Sequence, residues 1–231
     1  MLKHLLDPPV DSLVSMRRQL ATVLMAAHAL RELPVGDLVE TGVYHGGTTV
    51  LMARVLRNLS SSRLLWACDS FQGLPPAQAE DLTRGGCGNA TVPRRRSCGV
   101  GAAGQYKAPR IVVERALRSE GLSHHVRIVS GWFHESLPPQ GLRAIAMLRL
   151  DGDTFNGTYE ALRRLYPLVV DGGLVYVDDA GSYRGAAMAL RAYLGWPIGT
   201  RIPEDAMAQN SFYEAVWWRK GIAFEDETLQ F

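Results

Sequence analysis

Two apolar runs of strand length, Ala144 to Leu150 and Leu174 to Val177, each end abruptly in carboxylates, with a helix-length segment between them. The first run closes on Asp151, Gly152 and Asp153, the second on Asp178 and Asp179. That pattern is a β-α-β unit whose strands both finish in acid. Parallel strands joined by a right-handed crossover bring their carboxyl ends to one edge of the sheet, the edge at which open α/β sheets bind ligands. Asp151, Asp178 and Asp179 are therefore expected to meet in space, with Asp153 as a fourth member. Clustered carboxylates repel unless a cation sits among them, and an all-oxygen ligand set favours a hard ion, Mg²⁺ or else Ca²⁺ or Mn²⁺. Acids at strand ends also cap the helices that follow, which suits a single residue better than a cluster drawn from two strands.

The rest of the composition narrows the class. With 231 residues, 47% of them hydrophobic and 21% charged, the chain has room for one sizeable α/β domain and a filled core. A net charge of +2 is too small to imply a nucleic-acid or membrane partner, and the basic cluster Arg94 to Arg96 is short. Leu20 to Leu30 is apolar but too short to span a bilayer, and Met1 to Pro9 carries charges and prolines too early for a signal peptide. Cys68, Cys87 and Cys98 give neither a metal spacing nor an even disulfide framework. A soluble, cytoplasmic protein in a reducing compartment is the expectation.

From the N-terminus, Leu13, Met16, Leu20, Val23, Leu24, Ala27 and Leu30 form a helical stripe over Asp11 to Glu32, ended by Pro34. This N-terminal segment, residues 1–35, suits either packing on the sheet or a homodimer contact. The first strand, Asp37 to Thr41, runs into Gly42, Val43, Tyr44, His45, Gly46 and a helix to about Leu59. A strand, a glycine-bearing turn and a helix N-terminus make an approach site for a nucleotide-like ligand. The spacing of Gly42 and Gly46 does not fit the dinucleotide fingerprint, which speaks against a nicotinamide-dependent oxidoreductase. It is nearer to the acid-x-Gly-x-x-x-Gly turn of nucleoside-binding methyltransferases, with Glu40 as the acid. A second strand, Arg63 to Cys68, ends in Asp69, placed to accept hydrogen bonds from ribose hydroxyls.

Residues 76–106 are poor in apolar side chains and read as a long loop, either a substrate-covering lid or a disordered insertion. A helix is expected from Ala108 to Glu120 with Ile111, Val112, Ala116 and Leu117 on its buried side. A third strand, Val126 to Val129, follows. Trp132 and Phe133, just past it, would flank an adenine ring or belong to the core. Phe155, Tyr159, Leu162 and Leu165 make a core stripe stopped by Pro167, and Ser182 can cap a helix running to Leu194. Thr200 to Pro203 and Phe212 to Arg219 read as a terminal antiparallel pair. The sum is one domain, residues 1–231, with a mostly parallel seven-stranded sheet flanked by helices and an antiparallel C-terminal strand.

Several motifs together resemble the macrocin O-methyltransferase (TylF-like) family. They are Val39-Glu40-Thr41-Gly42-Val43-Tyr44-His45-Gly46-Gly47, Asp69-Ser70-Phe71-Gln72-Gly73-Leu74-Pro75, Gly131-Trp132-Phe133 with Ser136-Leu137-Pro138, and Leu150-Asp151-Gly152-Asp153. Leu165-Tyr166-Pro167, Gly172-Gly173, Val177-Asp178-Asp179 and Trp217-Trp218-Arg219-Lys220 complete the set in the family's order. The stretch from Pro76 to Gly104 departs from it. The resemblance implies a Rossmann-like class I fold and Mg²⁺-dependent methyl transfer from S-adenosylmethionine to a hydroxyl of a sugar, polyketide glycoside or other small natural product. It further implies that Asp151, Asp178 and Asp179 hold Mg²⁺. Glu40, Thr41, Gly42, Val43, Tyr44, His45, Gly46, Asp69, Ser70, Phe71, Gly131, Trp132 and Phe133, together with Asp151, would line the S-adenosylmethionine site. Asp153 is then the general base, or else the cap of the helix beginning near Thr154. A catechol acceptor fits the same chemistry, as does a silent S-adenosylmethionine-binding protein that has lost its acceptor.

Overall fold

The computed structural model of the protein describes residues 7–82, 101–195 and 215–221. Its strands β1 (Asp37–Thr41), β2 (Leu65–Asp69), β3 (Val126–Ser130), β4 (Ile145–Leu150) and β5 (Val169–Val177) are parallel. Strand β6 (Val216–Arg219) runs antiparallel to β5, and the sheet order is β3-β2-β1-β4-β5-β6. Six strands thus stand among the described residues where the sequence pattern predicts seven; Thr200 to Pro203 lies outside them. So does most of the expected 76–106 loop.

The strands read as continuous apolar runs because both faces of the sheet are covered. Leu38, Met147, Leu174 and Trp217 point to one face, where α1 (Met16–Glu32), α2 (Gly47–Asn58) and α3 (Arg110–Ser119) pack on them through Val23, Leu51 and Val113. Their neighbours Val39, Leu148, Val175 and Trp218 point to the other, against Leu162 and Leu165 of α5 (Phe155–Leu165) and Leu190 of α6 (Arg184–Leu194). A single helical turn, α4 (Phe133–Ser136), follows β3. Each such aliphatic side chain contributes about 1.5–3 kcal/mol on burial. No helix among the described residues is long and apolar enough to cross a membrane.

Several helix faces differ from their sequence pattern. Helix α1 buries Gln19, Thr22, Val23, Met25, Ala26 and Ala29, whereas Leu13 and Met16 are exposed. Thr22 faces inward there because the helix also meets a buried arginine, as described below. Helix α3 starts at Arg110, so its inward positions are Val113, Ala116 and Leu117, and Ile111 is exposed. On α5 the expected stripe splits: Leu162 and Leu165 are core, while Phe155 and Tyr159 are half-buried and stacked on each other with centroids 5.6 Å apart. Tyr183, not Ser182, occupies the α6 N-cap position. Strand β5 begins five residues before its apolar run, since Gly172 and Gly173 sit within the strand instead of ending a turn.

Arg54 of α2 clips the end of α3 by a two-pronged contact with Glu120, its Nε donating to Oε2 at 2.8 Å. The hydrogen bond from Arg54 holds the Glu120 carboxyl below the usual range. A depressed carboxylate stabilises the fold above its unfolded pKa and loses that contribution as pH falls through the folded value. Glu120→Gln is therefore expected to cost about 1–2 kcal/mol at pH 7. In urea melts the gap to the wild type should close as pH is lowered below 4.

Candidate active site

The chain travels from β1 outward to β3, then returns to β4 beside β1, so the strand order reverses between β1 and β4. A crevice opens at the carboxyl ends of strands at such a point. Thr41 is level with Cys68 and Leu150, and Leu150 with Val177. One step further along, Gly42, Asp69, Asp151 and Asp178 therefore stand in a row across the edge. The ladder continues into that row, with the Asp151 N–H donating to the Thr41 carbonyl at 2.9 Å and the Asp178 N–H to the Leu150 carbonyl at 2.8 Å.

Carboxylate oxygens of Asp151, Asp153 and Asp179 lie within 4.8 Å of one another. Asp178 is turned differently. Its Oδ2 accepts from Arg18 Nη1 at 2.9 Å and faces Arg149 Nη2 at 3.2 Å, and its Oδ1 accepts from the Tyr176 hydroxyl at 3.1 Å. Asp153 sits at φ +56°. It is not the helix cap: Thr154 takes that role, its hydroxyl oxygen accepting from the Gly157 N–H at 3.0 Å.

Behind the aspartates lies Arg149, wholly buried in β4. Its Nη1 reaches Asp151 Oδ2 at 2.8 Å and Glu40 Oε1 at 3.4 Å, and its Nε approaches Thr22 Oγ1 of α1 at 3.4 Å. Arg18 of α1 is also 3.3 Å from Asp179 Oδ1. Four aspartates thus face two arginines, a deficit of two positive charges, or three when Glu40 is counted. Burial, and after it repulsion from Asp178, raises the Asp151 carboxyl well above its usual range, with Arg149 pulling it back. Burial and the Asp151 charge push Asp153 up to about 7, and burial with the Asp178 charge pushes Asp179 up to about 8.

The glycine turn lies alongside. A Cβ at Gly42, where φ is +83°, would run into the Asp151 carbonyl oxygen, so only glycine lets the two loops close on each other. Glu40 is buried beneath the turn and accepts hydrogen bonds from the Thr48 and Thr49 hydroxyls of α2, so its carboxylate is spent inside the protein. Asp69 likewise holds the turn: its Oδ2 accepts from the Val43 and Tyr44 N–H groups at 2.7 and 3.2 Å, and its Oδ1 from the Phe71 N–H at 2.7 Å. The side chains of Val43 and Phe71 are buried, and Ser70 closes a local turn by accepting from the Gln72 N–H at 3.1 Å. Tyr44 and His45 are half-buried and stacked on each other, centroids 3.9 Å apart. The Gly131 N–H donates to the Asp69 carbonyl at 3.0 Å, which seats Gly131 and the half-buried Trp132 beside this loop, while Phe133 packs against the core. Thr41 Oγ1 is buried without a hydrogen-bond partner among the described residues.

The profile of the macrocin O-methyltransferase (TylF) family matches residues 11–220. The chain belongs to this family. Over 146 residues it is 40% identical to the demethyldecarbamoylnovobiocin O-methyltransferase of Streptomyces niveus, covering 62% of this chain and 52% of that one. Over 153 residues it is 31% identical to the mycinamicin III 3''-O-methyltransferase of Micromonospora griseorubida, covering 65% of this chain and 58% of that one. The chain spans about half the length of the curated relatives it matches. The solved O-methyltransferase NovP superposes with a TM-score of 0.66 at 28% identity, over 90% of this chain and 81% of its own. A calicheamicin methyltransferase superposes with a TM-score of 0.68 at 18% identity, over 96% and 90%, and shares the fold.

Sequence motifs missed several residues of this edge. Arg149 left a visible signal, a charge inside an apolar strand. Arg18 left none, because its contacts reach across 160 residues. Asp81 is buried and joins the segment after β2 to the start of α5, its Oδ1 accepting from the Phe155 N–H at 2.7 Å. Four of the five non-glycine residues with positive φ among those described, Tyr44, Phe71, Tyr106 and Asp153, lie in the loops of this edge. Such conformations cost about 1–3 kcal/mol each and cluster at functional sites.

Proposed function

We propose that the chain is an S-adenosylmethionine-dependent, Mg²⁺-assisted O-methyltransferase acting on a hydroxyl of a sugar-bearing or related small natural product. The observation that carries this is the convergence of Asp151, Asp153 and Asp179 at the reversal point of the sheet, directly against the Gly42 turn. Family membership and relatives named for methylating antibiotic hydroxyls support it. The donor set fits a divalent hard cation: all of it is oxygen, and the local arginines leave a negative balance.

Asp151, Asp178 and Asp179 are the proposed ligands. A carboxylate offers about four acceptor positions, so the two hydrogen bonds that Asp178 accepts, from Arg18 and Tyr176, leave it capacity for an ion. These residues would hold Mg²⁺, whose chemistry there would be to orient a substrate hydroxyl and lower its pKa. Asp153, whose carboxylate lies beside Asp151 and Asp179, is the proposed acceptor of the hydroxyl proton. The turn at Gly42 to Gly46 and the partnerless Thr41 hydroxyl are proposed to receive the methyl donor, with Asp69 and Glu40 shaping that turn from behind. In-line approach of the methyl group to the oxygen is then a matter of positioning.

The test is transfer of labelled methyl from S-adenosylmethionine to a panel of glycosides and catechols, with Mg²⁺ and with excess chelator. Methylation of a glycoside that stops with chelator is expected. Full activity in chelator defeats the metal role, preference for catechols moves the acceptor class, and donor binding without transfer to any member leaves a silent binder.

A further inference from the structure

Two arginines reach the acids of this edge, and they are held very differently. Arg149 projects from β4, in the middle of the sheet, and is wholly buried among Glu40, Asp151 and Asp178. Arg18 comes from outside the sheet, on the first turn of α1. Its Nη1 lies between two carboxylates, 2.9 Å from Asp178 Oδ2 and 3.3 Å from Asp179 Oδ1. One guanidinium nitrogen thus bridges both acids that follow β5, and both are proposed metal ligands.

The start of α1 is lightly held. Ser15 stands at the N-cap position without a side-chain hydrogen bond to the helix, and the first turn carries no acidic residue. Either would have stabilised that end. Leu13 and Met16 are 58% and 70% exposed, and the buried positions of the helix begin only at Gln19. Arg18 therefore ties an exposed helix start to the acidic edge, on a long side chain that water can receive. Arg149, enclosed on a strand, has no such way out.

We infer that Arg18 is a resident counter-ion that a divalent metal replaces: it holds Asp178 and Asp179 together beforehand and swings out toward solvent when the metal binds them. This rests on the metal role proposed above. Two carboxylates on consecutive residues repel, and the bridging guanidinium offsets that repulsion. Asp178 has an acceptor position to spare, yet a guanidinium and a divalent ion on the same pair of carboxylates would repel each other at close range. Of the two arginines, Arg18 is the one able to leave. Losing its ion pairs weakens metal binding, and the coupling is reciprocal: bound metal loosens the start of α1 by as much. Arg18 would thus set the metal concentration at which the site fills.

The full chain, stripped of divalent ions with chelator and then titrated with Mn²⁺ alone, tests this without donor or acceptor. Calorimetry should show Arg18→Gln binding Mn²⁺ about tenfold more tightly than wild type, the release from one charge-assisted contact. Amide hydrogen exchange gives a second readout. Mn²⁺ should speed it severalfold at the amides of Gln19 to Val23 in the wild type and leave the variant, already fast there, unchanged. Equal Mn²⁺ affinity in both proteins overturns the displacement of Arg18. Weaker binding by the variant does so too, since Arg18 would then support the ligands. Tighter binding by the variant with unchanged wild-type amide exchange means that Arg18 repels the metal without leaving its place, and likewise overturns the inference. The wild-type exchange result decides the matter even if the variant fails to fold. Absence of Mn²⁺ binding by either protein removes this inference and the proposed metal role together.

Discussion

Asp151→Asn is expected to lower methyl transfer about 10³-fold, the loss of several kcal/mol of stabilisation at the reacting oxygen, while leaving the fold at least as stable as before. The two halves have one cause. Burial and the neighbouring acids raise the Asp151 carboxyl well above its usual range. A group whose folded pKa is raised gives full stability only below its unfolded pKa and loses it as pH rises through the folded value. At neutral pH its ionised form is thus a strain on the fold, which a neutral amide of the same shape relieves. An unchanged or raised Tm beside lost activity is the signature of a residue kept for chemistry. Transfer within tenfold of wild type would end the proposed role of Asp151, and a fall in Tm of more than a few degrees would show that its charge supports the fold.

Arg149→Met should do the reverse and damage the structure first. The guanidinium is enclosed by Glu40, Asp151 and Asp178, and removing one partner of a buried ionic group costs about 3–5 kcal/mol. Natural domains hold about 5–15 kcal/mol in all, so a loss of Tm on the order of 10 °C is expected. Its pH dependence has a definite sign. Arg149 lowers the carboxyls of both Glu40 and Asp151; without it their folded pKa values climb further above the unfolded ones. The deficit should therefore grow as pH rises and shrink as it falls toward 5, where protons take over from the arginine. Urea melts at pH 5.5 and pH 8 read it directly, and an equal deficit at both would mean that lost packing, not lost charge, is responsible.

The β-α-β unit and its acidic ends were legible because an apolar run that stops at an aspartate says both where a strand lies and where it ends. Which way each acid points was not. Glu40 and Asp69 occupy strand ends suited to a ligand, yet one carboxylate is taken by Thr48 and Thr49 and the other by three backbone N–H groups. Ruling out Asp153 as the helix cap needed the neighbouring residue, since Thr154 offers a hydroxyl at the cap position. Periodicity misplaced the inner face of α1, because hydrophobic counting ignores polar residues drawn inward by a buried charge such as Arg149. Contacts across more than a hundred residues, like Arg18 with Asp178, leave no mark on local sequence.

The backbone bridge between Leu74 and Gly104 to Gln105 has an engineering consequence. Asp81, within the chain it closes off, is a second fastening, its carboxylate accepting from the Phe155 N–H at 2.7 Å. Since closing a loop depends only weakly on its length, an exchange with relatives is best cut after Asp81 and before Gly104, which keeps both fastenings. Such a graft would keep Asp81, Tyr106 and the sheet intact.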